Sequence, residues 1–194
     1  MTENEYESQE SWLDLSAYDN SDYDPGRGTL TRTLWYFCSL LFVESVWFPF
    51  GGCKLFLLRI FGAKIGTGVT IRSNVRVKYP WLLEVGDHCW IGQDVWIDNL
   101  VPVKIGSHVC ISQRAYLCTG SHDHRKRTFD LLTGPISIGN GAWVGAVAIL
   151  LQNVSIGPNA LVASGSIVVS DVPAGAIVGG NPAKPIGKRE RPIA

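Results

Sequence analysis

Net charge is the first thing missing. The 194 residues carry 17 Lys+Arg against 17 Asp+Glu, so the chain has no global field with which to hold a polyanion, and no nucleic-acid partner is expected. Cysteine is sparse and unpatterned: the five (Cys38, Cys53, Cys89, Cys110, Cys118) are odd in number and form no CxxC. That argues against a disulfide framework or a four-thiolate zinc site, and suits a reducing, cytoplasmic setting. A single methionine beside 21 glycines speaks against a helix bundle and for a chain that turns often. Residues 1–24 hold eight acids and no Lys or Arg, so no basic stretch precedes an apolar core and no secretory signal is expected. What is present is globular: 46% apolar residues and 18% charged, in a length that suits one domain with a short appendage.

Three zones and a tail divide the chain. Residues 1–28 form an acidic arm with little structure of its own, 29–61 are strongly apolar, 62–187 read as Gly-punctuated aliphatic pairs, and 188–194 are a basic tail. The third zone is an internal repeat. Ile65, Ile71 and Val77 recur twenty residues later as Val85, Ile91 and Ile97, and again as Ile105, Ile111 and Leu117. After a gap the pattern resumes at Ile138, Val144, Leu150, Ile156, Val162, Val168 and Ala174, in steps of six. A small residue precedes most of these by two positions, as Val75, Cys89, Ala115 and Ala148 do.

A step of six is not helical, because 3.6 does not divide it. It describes a short strand and a corner, so three steps close one triangular coil. The expected placement puts the aliphatic residue inward at the corner and the small one on the flat wall. Coils then stack by backbone pairing about 4.8 Å apart, and the twenty-residue period is a coil carrying a bulge at Tyr79-Pro80 and Leu100-Val101. The expected fold is all-β, a parallel β-helix, with one excursion: between Leu117 and Ile138 lie 21 residues where six were due, so about Thr119 to Thr133 must protrude.

The excursion opens Thr119-Gly120-Ser121-His122-Asp123-His124. A histidine where the chain leaves a rigid wall can take a proton from a weak nucleophile, although a loop histidine satisfied by backbone explains position alone equally well. His88 and His108 share one phase of adjacent coils; a metal site there lacks a third ligand, since position 68 is Gly68, and a metal-free protein is expected. Gly141 to Ala146 and Ala163 to Gly165 are small residues one coil apart, which would leave backbone groups accessible along a shallow groove. Corner packing is the plainer explanation. Gly179 to Pro185 can turn back over the last coil and offer Lys184 to a phosphate, or simply cap the solenoid.

Taken together, the repeat, the TGSHD loop (Thr119 to Asp123), the Ile138-Gly139…Ala142-Trp143-Val144-Gly145 segment and the GGNPAKPI end resemble the hexapeptide-repeat acyltransferases. The nearest branch is that of colanic acid biosynthesis acetyltransferases, relatives of galactoside and maltose O-acetyltransferases. The resemblance implies a left-handed coil, a homotrimer with sites between neighbouring copies, and acetyl transfer from acetyl-CoA to a sugar hydroxyl with no metal. It implies His122 as general base and a backbone N–H near Gly145 or Ala146 for the oxyanion. The coenzyme would run past Trp143, Gly145, Ala146, Ser164 and Gly165, with Lys184 near its phosphates, and Asp19 and Asn99 would contact the acceptor.

The apolar zone 29–61 is broken by Glu44, Ser45, Pro49 and Gly51-Gly52, and neither half reaches the ~20 apolar residues a span needs. One or two helices capping the first coil are expected; a helix lying on a membrane surface is the sharper alternative. Against the sugar acetyltransferase stand three other functions. A β-helical carbonic anhydrase would need a further histidine five residues upstream of the loop pair, a serine acetyltransferase would need a long helical N-terminal domain, and a non-catalytic β-helix would tolerate loss of His122.

Overall fold

The computed structural model describes residues 11–191. Coils fill most of that length. Strands of two or three residues alternate with turns from Lys64 onward and pair in parallel into three walls. One wall is built on Ile65, Val85, Ile105, Ile138 and Ile156, the second on Ile71, Ile91, Ile111, Val144 and Val162, the third on Val77, Ile97, Leu117, Leu150 and Val168. Register is twenty residues between the first three coils (Ile65↔Val85, Val85↔Ile105) and eighteen later (Ile138↔Ile156), as the sequence periods require.

The inward aliphatic residues are not at the corners, contrary to expectation. They lie in the strands, and, except after Val77, Ile97, Leu117 and Val168, where the bulges, the excursion and the end of the coil intervene, the backbone turns left-handed three residues on: His88, Asp94, His108, Arg114, Val147, Asn153 and Asn159 all have φ between 55° and 61°. The small residue follows directly, at Cys89, Val95, Val109, Ala115, Ala148, Val154 and Ala160, and is buried. The physical reason is space. A left-handed corner drives the next side chain toward the prism axis, where only a short one fits.

A second difference is at the end of the coil. Ile156 bridges Val172 and not Ala174, and Val162 pairs with Val178, so the last turn is two residues short. Pro173 occupies the phase of a strand residue and has no N–H to donate, so the pairing moves to the residue before it. Strand Ala176–Gly180 then folds back on Ala183–Lys188, extending the second wall by an antiparallel pair that ends the solenoid.

The apolar zone forms helix α1 (Thr29–Cys38), a π turn (Ser39–Val43) and helix α2 (Gly51–Ile60). These pack on the first coil. Trp35 is buried and donates its indole N–H to the Val77 carbonyl at 2.9 Å, while the Arg59 guanidinium donates to the carbonyls of Ile65 and Gly66. Lys54 is buried, its Nζ donating to the carbonyls of Val43 (2.9 Å) and Ser45 (3.2 Å). That joins α2 to the otherwise unpaired end of the preceding helical turn. Burial lowers the pKa of this ammonium. Among the described residues no helix is long and apolar enough to cross a membrane.

Candidate active site

The excursion is a β-hairpin. Gly120–His122 pairs antiparallel with Leu131–Thr133, in register His122↔Leu131. Its root is pinned from beneath. Thr119 is fully buried; its hydroxyl donates to the Asp98 carbonyl (2.9 Å) and accepts from Leu100 N–H (2.8 Å). Beside it Lys78 Nζ lies 3.1 Å from Asp98 Oδ1, and the Tyr116 hydroxyl donates to Asp98 Oδ2 at 3.2 Å. Burial, then the neighbouring Cys118 and Asp98, pushes the Tyr116 pKa up, so this phenol is a neutral donor that braces the hairpin root. The tip is tied by ion pairs: Asp123 with Arg125 (2.9 Å) and Asp130 with Lys126 (2.7 Å). Each holds its carboxylate below the usual range.

His122 meets two aromatic rings. Phe129, itself left-handed at φ 53°, stacks its ring on the imidazole at 4.4 Å and turns its carbonyl toward Nδ1, 2.8 Å away. A carbonyl can only accept, so Nδ1 carries the proton and Nε2 of the neutral ring is left as the acceptor. The Tyr18 ring also lies against the imidazole, tilted, with centroids 5.6 Å apart. The described part of the acidic arm is thus docked against the hairpin and the coil below it, with Asp14 N–H donating to Arg127 O and the Tyr23 hydroxyl to Leu100 O.

Asp19 follows Tyr18, exposed, with its carboxylate accepting from the Ser21 N–H and hydroxyl. Asn99 is a different matter. It is fully buried, its Oδ1 accepts from Tyr79 N–H and its Nδ2 donates to Tyr79 O. Its amide ties two neighbouring bulges together and, buried, is out of reach of a ligand. His88 and His108 stack with rings 5.2 Å apart. Among the described residues no group of three or more His, Cys, Asp or Glu could hold a metal ion.

The small-residue groove lies on another edge of the prism, between the second and third walls. Left-handed positions stack there through Asn74, Asp94, Arg114, Val147 and Gly165, each coil bonded to the last by pairs such as Val147 N–H to Gln113 O and Gly165 N–H to Ala146 O. Gly145 admits no side chain: a Cβ would sit 2.6 Å from the Ser164 nitrogen. Its N–H is given to Val162 O, whereas that of Ala146 has no partner among the described residues. Trp143 stands on the second wall, held by its indole N–H to Ser112 Oγ at 2.9 Å. Ser164 and Gly165 complete the edge. Lys184 is two strands away from Leu161–Val162 on the extended wall, roughly 10 Å by strand spacing, and exposed.

Sequence reasoning missed the polar half of this edge. Asn74 Nδ2 donates to Asp94 Oδ1 at 2.6 Å and Arg114 Nε lies 3.5 Å from Asp94 Oδ2, a ladder on three coils below Ala146. The twenty-residue phase contains the signal, since 74, 94 and 114 are one column. Val147 in the same column is a β-branched residue at φ 61°, a costly conformation beside a free backbone N–H. Within one chain His122 and this edge are a full wall apart: the hairpin leaves after the third wall, and the groove precedes it.

No protein-family model matches the chain. It is 44% identical over 136 residues to a protein named as the colanic acid biosynthesis acetyltransferase WcaF of Escherichia coli (strain K12), covering 70% of this chain and 75% of that one. It is 27% identical to the galactoside O-acetyltransferase of the same organism over 67% of this chain and 66% of the relative. Its fold superposes with TM-score 0.77 and 26% identity on a hexapeptide-repeat acetyltransferase of Vibrio cholerae in complex with acetyl coenzyme A, covering 87% of this chain and 93% of that structure. The coil is the left-handed β-helix of those structures. With its repeat, its hairpin histidine and its small-residue groove, the chain belongs to the hexapeptide-repeat acetyltransferases and is an acyltransferase.

Proposed function

We propose that the protein transfers acetyl from acetyl-CoA to a sugar hydroxyl in polysaccharide synthesis of the colanic acid kind, acting as a homotrimer. The observation that carries the chemistry is the Phe129 carbonyl on Nδ1 of His122, which keeps Nε2 as the proton acceptor. Nε2 takes the hydroxyl proton as the sugar oxygen attacks the thioester carbonyl. The oxyanion of the tetrahedral intermediate is met by the Ala146 N–H, a donor at the groove edge with no partner among the described residues. Collapse breaks the C–S bond, and the imidazolium returns its proton to the leaving thiolate. Acetyl-CoA lies along Trp143, Gly145, Ala146, Ser164 and Gly165, with Lys184 toward its phosphates. Asp19 and the Asp94–Arg114 ladder are the acceptor's polar contacts; Asn99 is a structural residue.

The distribution of the site over the prism supports a shared site. In one copy the base and the groove occupy different edges of the prism, so the hairpin of one copy serves the groove of the next. The outward residues of the second wall (Trp90, Cys110, Trp143, Leu161) and of the upper third wall (Ile149, Ile167) supply an apolar seam for that contact. The same reading includes a peripheral contact of residues 29–61 with a membrane.

The test is thiol release from acetyl-CoA with a panel of glycosyl acceptors and L-serine, for the native chain and for His122→Ala. Acceptor-dependent release with sugars, reduced about a thousandfold by the substitution, is expected. Release with serine alone would move the acceptor class, and equal acceptor-independent release by both proteins would overturn the mechanism.

A further inference from the structure

We infer that the helical end of the prism lies flat on an anionic phospholipid bilayer, through the outer faces of α1, the π turn and α2. The inner faces are spoken for: Trp35, Ser39, Val43, Leu55 and Leu58 are buried on the first coil. The outer faces are bare and apolar. Leu34, Phe37, Leu41, Trp47, Phe56 and Ile60 are all more than half exposed, Trp47 at 91%. Twelve of the large apolar side chains exposed in the described structure fall between residues 30 and 60, against nine in all the rest. A water-facing cap has no reason to carry them.

Charge selects the occupant. From Pro25 to Leu83 the chain holds eight Lys and Arg and one acid, Glu44; Lys54 is buried, Lys64, Arg76 and Lys78 face Glu84, Glu44 and Asp98, and Arg27, Arg32, Arg59 and Arg72 meet no carboxylate among the described residues. An apolar face whose own segment carries arginines without acid partners matches acyl chains bordered by anionic headgroups. Length decides that it rests on the bilayer. α1 and the π turn run 10 and 5 residues, about 22 Å of helix at 1.5 Å per residue, against a hydrocarbon core of about 30 Å. If the copies assemble as proposed above, about an axis along the prism, three such ends face one plane and bind together. Only this avidity rests on that reading; the docking face is complete in one chain.

Vesicle flotation of the full-length protein tests it, with phosphatidylcholine alone and with phosphatidylcholine containing phosphatidylglycerol. Recovery about tenfold higher with the anionic vesicles, falling in high salt, is expected. The variant Leu34→Ser/Phe37→Ser/Trp47→Ser loses flotation while keeping its native mass and its acetyl transfer to a soluble acceptor. Absence of flotation, or a variant that floats as well as the native chain, overturns the inference. So does a fall in the variant's native mass, which would make the face a contact between copies. Flotation by a protein that transfers no acetyl group leaves the docking standing and removes the catalytic reading instead.

Discussion

The first and second walls of the prism share an inner code and differ in their outer one. Inside, both present aliphatic residues in strict register, Ile65–Val85–Ile105 on one and Ile71–Ile91–Ile111 on the other. Outside, the first wall carries Lys64, Glu84, Lys104, Ser137 and Ser155, with Lys64 and Glu84 paired at 2.9 Å and Ser137 bonded to Ser155. The second carries Thr70, Trp90, Cys110, Trp143 and Leu161 in the same positions, with Trp90 65% exposed. The inner code makes a coil, and any outer residue is compatible with it. The outer residues therefore differ by wall, polar on the first and apolar on the second, which is the contrast the proposed assembly uses.

The sharpest way to break that contrast is a charge on each wall. Trp90→Glu should dissociate the assembly and lower acetyl transfer at least a hundredfold, while Lys104→Glu leaves native mass and rate unchanged; native mass spectrometry beside the thiol assay reads both. The inner code is tested by Leu150→Ala, which opens a cavity in a fully buried position and should cost about 3 kcal/mol in denaturant unfolding. At the groove edge, Val147→Asn relieves a left-handed β-branched residue that is more than half exposed, and should stabilise by about 1 kcal/mol. The smallest effect belongs to the hairpin tip. The Arg125 guanidinium lowers Asp123 from its ordinary 3.8, so the ion pair contributes stability above that pH and loses it as pH falls through the lower folded value. Amide exchange of residues 121–133 should therefore quicken in acid before that of the coil does.

What could be read from the sequence follows the same division. The inner residues were legible because one requirement repeats along the chain, so Ile65 to Leu117 identify one another. The hairpin showed as a surplus of length, and His122 as the titratable group within it. Phe129 and Tyr18 could not be foreseen beside the imidazole, since each arrives by a contact that no periodicity encodes. Pro173 was visible, but its effect on register depends on which strand residue must donate. Asn99 was misjudged for a physical reason: a polar residue beside a bulge has backbone to satisfy before it can face a ligand, and Tyr79 claims both ends of its amide.

The central claim is that base and groove come from different copies, and mixing two inactive variants tests it most directly. His122→Ala lacks the base and Ala146→Arg blocks the groove; each alone should be inactive. Unfolded together in equal amounts and refolded, they should recover about one quarter of native acetyl transfer, because one interface in four then pairs an intact hairpin with an intact groove. A mixture as inactive as its components would mean that both parts of the site serve within a single chain.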